Sequence, residues 1–208
     1  MARVKICGIT NLEDARMAAR LGADALGFNF YEKSVRFVTP NAAAEMISQL
    51  DKPIDKVGVF VNHTMDEILD TIDRASLDTV QLHGDESFRF VSDLRSKCGC
   101  RIIKALRASP DFDPSVASDF KADGILLDGY STNARGGTGE TFDWKVAKQT
   151  STLIRELWLA GGLTPENVRM AITEVRPYAV DACSSLESAP GVKDAGKLER
   201  FILEAKSA

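Results

Sequence analysis

VGVFVNHTMDEILDTIDRASLDTVQLH, residues 57–83, shows the repeating unit of the fold. It opens on the apolar run Val57–Val61 and closes on a second run, Thr79–His83. Between them Met65, Ile68, Leu69 and Ile72 recur at helical spacing. Thr64 stands just ahead of them, and Glu67, three residues on, completes a capping box. The segment therefore predicts strand, helix, strand. The run centres lie about 22 residues apart, too far for a hairpin and right for a crossover between parallel strands.

The same unit repeats outward in both directions. Further apolar runs are Val4–Cys7, Ala25–Phe30, Arg101–Leu106, Gly124–Asp128, Leu157–Ala160 and Ala179–Cys183. Spacings stay at about 22 residues, with two wider gaps of about 32 and 33. The runs show no clean polar alternation, as expected of strands buried on both faces. Leu12, Ala15, Ala18, Ala19 and Ala23 mark a first helix with Thr10 or Asn11 as N-cap. Thr164-Pro165-Glu166 predicts an N-cap followed by proline at the first helical position. Glu86–Lys97 and Asp194–Ala205 are amphipathic, and Pro114–Lys121 is the weakest helix of the series.

Eight strands alternating with eight helices predict the α/β class and a single (β/α)8 TIM barrel over residues 1–208, small and short-looped. Closure removes both sheet edges. The wide gaps place extra residues at Tyr31–Thr39 and Gly129–Thr141, on the C-terminal face where barrel enzymes build their sites. An open doubly wound sheet is the rival, and the first strand lacks the G-x-G-x-x-G of its dinucleotide-binding version.

Composition narrows the function. Hydrophobic residues make up 44% and charged residues 27%, which is ordinary for a globular chain. The formal charge of −4 gives no basic face for nucleic acid, and no apolar run is long enough to cross a membrane. MARVKICGIT at the N-terminus has no secretory pattern. Four cysteines are too few for a disulfide scaffold, and with two histidines they form no zinc spacing. The expectation is a reduced, cytoplasmic protein with no metal and no cofactor.

Polar and reactive residues gather at the predicted C-terminal strand ends. Cys7 ends the first strand, where it can act as nucleophile or base, given groups that stabilise a thiolate. Asp128 follows Ile125-Leu126-Leu127, and a half-buried carboxyl there can donate a proton. Ser34 and Arg36 follow the second strand, and the Arg36 fork suits a carboxylate or phosphate. Gln81 and His83 end the fourth, with His83 expected to hydrogen-bond inside the mouth. Arg135-Gly136-Gly137-Thr138-Gly139 reads as a closing loop. Gly161-Gly162 after the seventh strand, with Ser184 and Ser185 after the eighth, form the phosphate cradle usual in this fold. A phosphorylated small molecule is the expected partner.

Taken in order, these segments resemble the phosphoribosylanthranilate isomerase family of tryptophan biosynthesis. The resemblance rests on KICGIT (5–10), GFNFYEKSVR (27–36), VGVFVN (57–62), VQLHGDE (80–86), GGTGETFDW (136–144), LAGGLTPENV (159–168) and Lys193-Asp194. It implies an Amadori rearrangement of N-(5-phosphoribosyl)anthranilate to 1-(2-carboxyphenylamino)-1-deoxyribulose 5-phosphate, without cofactor or metal. It implies Asp128 as general acid and Cys7 as general base. Arg36 would meet the anthranilate carboxylate, and Ser34, His83, Asp181 and Gly137 the rest of the substrate. Gly161, Gly162, Cys183 and Ser184 would hold the phosphate. One departure stands out: where the family reads V-D-x-S-S-G-V-E, Val180–Glu187 reads VDACSSLE. Ser185 thus replaces a glycine, a strained exchange if that position needs positive φ.

Two other readings remain open. One is a Schiff-base lyase or aldolase using Lys5 or Lys104, although both are expected as ion-paired residues of the barrel interior. The other is a non-catalytic phosphate-ligand barrel. Monomer and homodimer are both compatible with the sequence.

Overall fold

The computed structural model describes residues 1–109, 111–129 and 144–208. The elements run β1 (Arg3–Cys7), α1 (Leu12–Leu21), β2 (Ala25–Asn29), α2 (Pro40–Ser48), β3 (Asp55–Phe60), α3 (Met65–Ala75), β4 (Thr79–Leu82) and α4 (Phe88–Lys97). They continue with β5 (Arg101–Ala108), a 3-10 turn (Pro114–Phe120), β6 (Gly124–Gly129), α5 (Trp144–Leu153), β7 (Leu157–Leu159), α6 (Val168–Val175) and β8 (Ala179–Ala182). After a second 3-10 turn (Ser184–Leu186) come β9 (Glu187–Ala189), β10 (Val192–Lys193) and α7 (Ala195–Lys206). Strands β1 to β8 close into one barrel in chain order, and every pair in it is parallel.

Local chemistry sets most boundaries. Asn11 caps α1 by accepting from the Asp14 N–H. The capping box of Thr64 and Glu67 forms as its spacing predicts. Two expectations need correction, and one element was not foreseen. The weak helix at Pro114–Lys121 is a 3-10 turn, so the described residues contain seven α-helices rather than eight. Helix α6 starts at Val168, because the Thr164 carbonyl first accepts from the N–H groups of Asn167 and Val168 in a separate turn. The β9–β10 hairpin has no counterpart in the sequence reading. Its signal is Pro190-Gly191: Gly191 has φ +80, the value the third residue of a type II turn requires.

The barrel wall has two faces, and the sequence does alternate between them. Val4, Ile6, Leu26, Phe28, Val80, Leu82, Ile125, Leu127, Leu159 and Val180 belong to the large core between sheet and helices. Ile103, Ala105, Leu126, Trp158, Ala160 and Ala179 form a second, smaller cluster inside the barrel. Lumen positions follow period two along each strand. Toward the C-terminal ends that lumen set turns polar: Cys7, Asn29, Gln81, His83, Asp128, Asp181 and Cys183. Gln81 and Lys5 are completely buried there.

Candidate active site at the barrel mouth

A cavity of about 420 Å³ opens among those residues at the C-terminal end of the barrel. Its wall includes Cys7 from β1, Arg36 from the loop after β2, His83 after β4, Asp128 from β6, Gly161 and Gly162 after β7, and Asp181, Cys183, Ser184 and Ser185 from β8 and its loop. Strand geometry brings Cys7, His83, Asp128, Asp181 and Cys183 together on the lumen side, and the loops add the rest.

Cys7 sits beside two cations and a second thiol. Gly27 leaves it space, since a Cβ there would come within 2.8 Å of the Cys7 sulfur. Hydrogen bonding from the Cys183 thiol pulls Cys7 well below the ordinary thiol range. Burial opposes this, and the charges of Lys5 and Lys193 add to it. Cys183 moves the opposite way, raised by that hydrogen bond and by burial. The two cations beside Cys7 thus favour its thiolate form.

Directly below, Lys5 Nζ donates to Asp181 Oδ2 at 2.9 Å. Burial pushes Asp181 up to about 7, against the attraction of Lys5. Burial works against the charge on Lys5 too, but Asp181 and Cys7 outweigh it and hold the ammonium above its usual range. Asp181 Oδ1 and Gln81 Oε1 are buried acceptors without a hydrogen-bond partner among the described residues, and both residues line the cavity. Both oxygens are closed off from solvent, so they are unfilled positions in the hydrogen-bond network beneath the cavity.

On the opposite wall Gln81 Nε2 lies 2.8 Å from His83 Nδ1, and His83 Nε2 lies 3.3 Å from Asp128 Oδ2. With Gln81 Nε2 donating to Nδ1, the ring proton sits on Nε2 and faces Asp128. The Asp128 side chain is 37% exposed, open to a bound molecule. Gly161, at φ +84, allows this approach: a Cβ there would stand 2.1 Å from the Gly129 nitrogen and 3.1 Å from Asp128 Oδ1.

Arg36 reaches the mouth held from behind. Its Nε and Nη2 each donate to Glu187 at 2.7 Å, leaving Nη1 without a hydrogen bond among the described residues. Lys193 Nζ donates to the same carboxylate at 3.2 Å and to the Cys183 carbonyl at 3.2 Å. Burial pushes Glu187 up, but Arg36 and Lys193 more than offset it and keep it below the usual range.

The mouth thus gathers Cys7, Arg36, His83, Asp128, Gly161, Gly162, Asp181, Cys183 and Ser184 in one cavity. Ser34 is not on its wall; its hydroxyl accepts from Asn29 Nδ2 and the Arg36 N–H and shapes the loop. Gly137 and the glycine-rich loop lie outside the described residues. Ser185 does not have positive φ, so its replacement of glycine carries no backbone strain. Lys5 faces the lumen as expected, but Lys104 does not: it lies on the outer face of β5, bound to Glu86. Sequence reasoning overlooked the functions of Gln81, Glu187 and Lys193. Gln81 left a signal, being a lumen-parity polar residue two positions before His83. Glu187 and Lys193 showed only as members of the family-like segments, with no sign of their partners, since only the hairpin turns them inward.

A family model described as N-(5'phosphoribosyl)anthranilate (PRA) isomerase matches residues 4–204. The N-(5'-phosphoribosyl)anthranilate isomerase of Geotalea uraniireducens is 50% identical over 209 residues, covering 99% of both chains. The crystal structure of phosphoribosyl anthranilate isomerase from Thermotoga maritima superposes with a TM-score of 0.93 at 44% identity over 100% of both chains. A phosphoribosyl anthranilate isomerase in complex with reduced 1-(o-carboxyphenylamino)-1-deoxyribulose 5-phosphate superposes at 0.89, with 42% identity and 100% of both chains covered.

Proposed function

The chain belongs to the N-(5'-phosphoribosyl)anthranilate isomerase family, and from that membership we propose how its barrel mouth performs the reaction. Its activity is the isomerisation of N-(5'-phosphoribosyl)anthranilate to 1-(2-carboxyphenylamino)-1-deoxyribulose 5-phosphate in tryptophan biosynthesis. The observation that carries the mechanism is a single cavity lined by a thiolate-favouring Cys7 and a half-exposed Asp128.

Asp128 gives its proton to the furanose ring oxygen as the anilino nitrogen pushes the ring open to an iminium. Cys7, as thiolate, removes the proton from the neighbouring sugar carbon, leaving an enolamine. Cys7 then returns its proton to the first carbon while the hydroxyl on the second gives its proton to Asp128, which yields the ketone and restores both groups. The two groups need opposite protonation states at the start, an arrangement that general acid–base catalysis favours. His83, held by Gln81, orients Asp128. Asp181, on the cavity wall, faces the sugar hydroxyls.

Arg36 meets the anthranilate carboxylate through its open Nη1 edge, while Glu187 fixes the rest of its fork. Backbone N–H groups of Gly161, Gly162, Cys183 and Ser184 receive the phosphate, a role that survives a changed side chain. Ser34 supports this site through the Arg36 loop. No metal or cofactor enters the reaction. The protein acts in the cytoplasm as a monomer or homodimer.

Purified protein should consume phosphoribosylanthranilate in a fluorescence assay. Cys7→Ala and Asp128→Asn should each lower kcat by about 100-fold or more. Turnover close to that of the unaltered protein in either variant would refute the assigned role.

A further inference from the structure

The Cys183 side chain touches no substrate group in the reaction above, yet it stands where a second thiol has consequences. Strands β1 and β8 pair in register, Lys5 with Asp181 and Ile6 with Ala182. The next residues, Cys7 and Cys183, therefore lie side by side, on the lumen face that Lys5 and Asp181 share one layer below. Neighbouring strands run about 4.8 Å apart, inside the Cα separation of roughly 4.4–6.8 Å that a disulfide spans. Both side chains line the same cavity, and a Cβ on Gly8, the residue after Cys7, would lie 2.7 Å from the Cys183 sulfur, so that sulfur reaches across to the end of β1. Both cysteines are half-buried and line the open cavity, so a small oxidant reaches them.

We propose that Cys7 and Cys183 form a redox pair, closed to an intramolecular disulfide by a hydroperoxide and reopened by a dithiol. The Cys7 sulfur attacks one peroxide oxygen, and the O–O bond breaks. The other oxygen leaves with a proton as water or alcohol, and Cys7 becomes a sulfenic acid. The Cys183 sulfur then attacks the Cys7 sulfur, the S–O bond breaks, and the departing hydroxide takes the Cys183 proton as water. Two thiols and one hydrogen peroxide become one disulfide and two waters. A dithiol reverses the closure by thiol exchange and is itself oxidised. The positive surroundings of Lys5 and Lys193, which favour the Cys7 thiolate, also favour the first step.

The test uses the full chain with Cys98→Ser and Cys100→Ser, both far from the mouth, so that only the two mouth thiols remain. Titration with hydrogen peroxide should lower the intact mass by about 2 Da and yield one cross-linked Cys7–Cys183 peptide. Turnover should fall in step and return with dithiothreitol. This loss of turnover rests on Cys7 being the base, whereas the mass change does not. A disulfide that forms while turnover persists would sustain the redox pair and overturn the base assignment. Adding Cys183→Ser should replace the 2 Da loss by a gain of about 16 or 32 Da on Cys7. The same gain with Cys183 present, or complete inactivation without the cross-linked peptide, would overturn the redox pair.

Discussion

Two buried lysines lie on opposite faces of the same barrel wall, and they are completed to different degrees. Lys104 points outward from β5. Its Nζ donates to the Leu82 carbonyl at 3.2 Å, the Gly84 carbonyl at 2.6 Å and Glu86 Oε2 at 2.8 Å. Glu86 in turn accepts from the N–H groups of Asn62 and Gly84. Every proton of that ammonium is used, and the Phe120 ring covers it at 5.9 Å. Lys5 points inward from β1 and donates to Asp181 at 2.9 Å, and the far oxygen of Asp181 has no partner among the described residues. A satisfied buried pair fixes structure; an unfinished one leaves a carboxylate poised between two protonation states beside a cavity. The first ties the loop after β4 to β5. The second tunes Cys7.

The contrast predicts different damage from the same substitution. Lys104→Met should cost about 3–5 kcal/mol of folding stability, because Glu86 is left buried without its cation. It should leave kcat close to that of the unaltered protein. Urea unfolding alongside steady-state kinetics reads both, and a large fall in kcat at unchanged stability would abolish the distinction.

Asp181 sharpens the comparison through pH. Its folded pKa of about 7 lies above the ordinary 3.8, so the native state holds a proton that the unfolded chain has lost. The corresponding stability is full below about pH 4 and is lost as pH rises through about 7, an effect of roughly a few kcal/mol. Asp181→Asn should remove that fall. Urea midpoints at about pH 4.5 and pH 7.5 should then show the variant gaining on the unaltered protein as pH rises. Parallel midpoints would mean that Asp181 titrates normally.

The smallest effect is expected at Lys5. Lys5→Met removes a cation beside Cys7 and should lower kcat about tenfold near neutrality, with recovery at higher pH as the thiolate returns. A tenfold loss that persists unchanged across pH would assign Lys5 to packing rather than to the thiol.

Much of this architecture was legible residue by residue. The eight apolar runs became the eight strands, and their spacing gave the parallel order, because a crossover has a minimum length that a hairpin lacks. Cys7, Asp128, Asp181 and the Gly161-Gly162 turn were placed correctly at the mouth because strand ends are visible in sequence. Lys104 was misread as an interior residue, since adjacent positions on a strand face opposite sides and the runs alone do not tell which parity faces in. Ser34 and Arg36 are two residues apart, yet one supports a turn and the other lines the cavity.

The sequence by itself determined the period of the fold and the identity of the groups at each strand end, because these follow from local spacing and side-chain chemistry; the reaction came from its resemblance to a known family. Tertiary structure alone decided which groups face one another. Closing β8 onto β1 set Cys183 beside Cys7 and Asp181 beside Lys5. The β9–β10 hairpin brought Glu187 onto Arg36, 151 positions away. Such partnerships depend on the register of closure and on burial, properties of the assembled wall that no single segment carries.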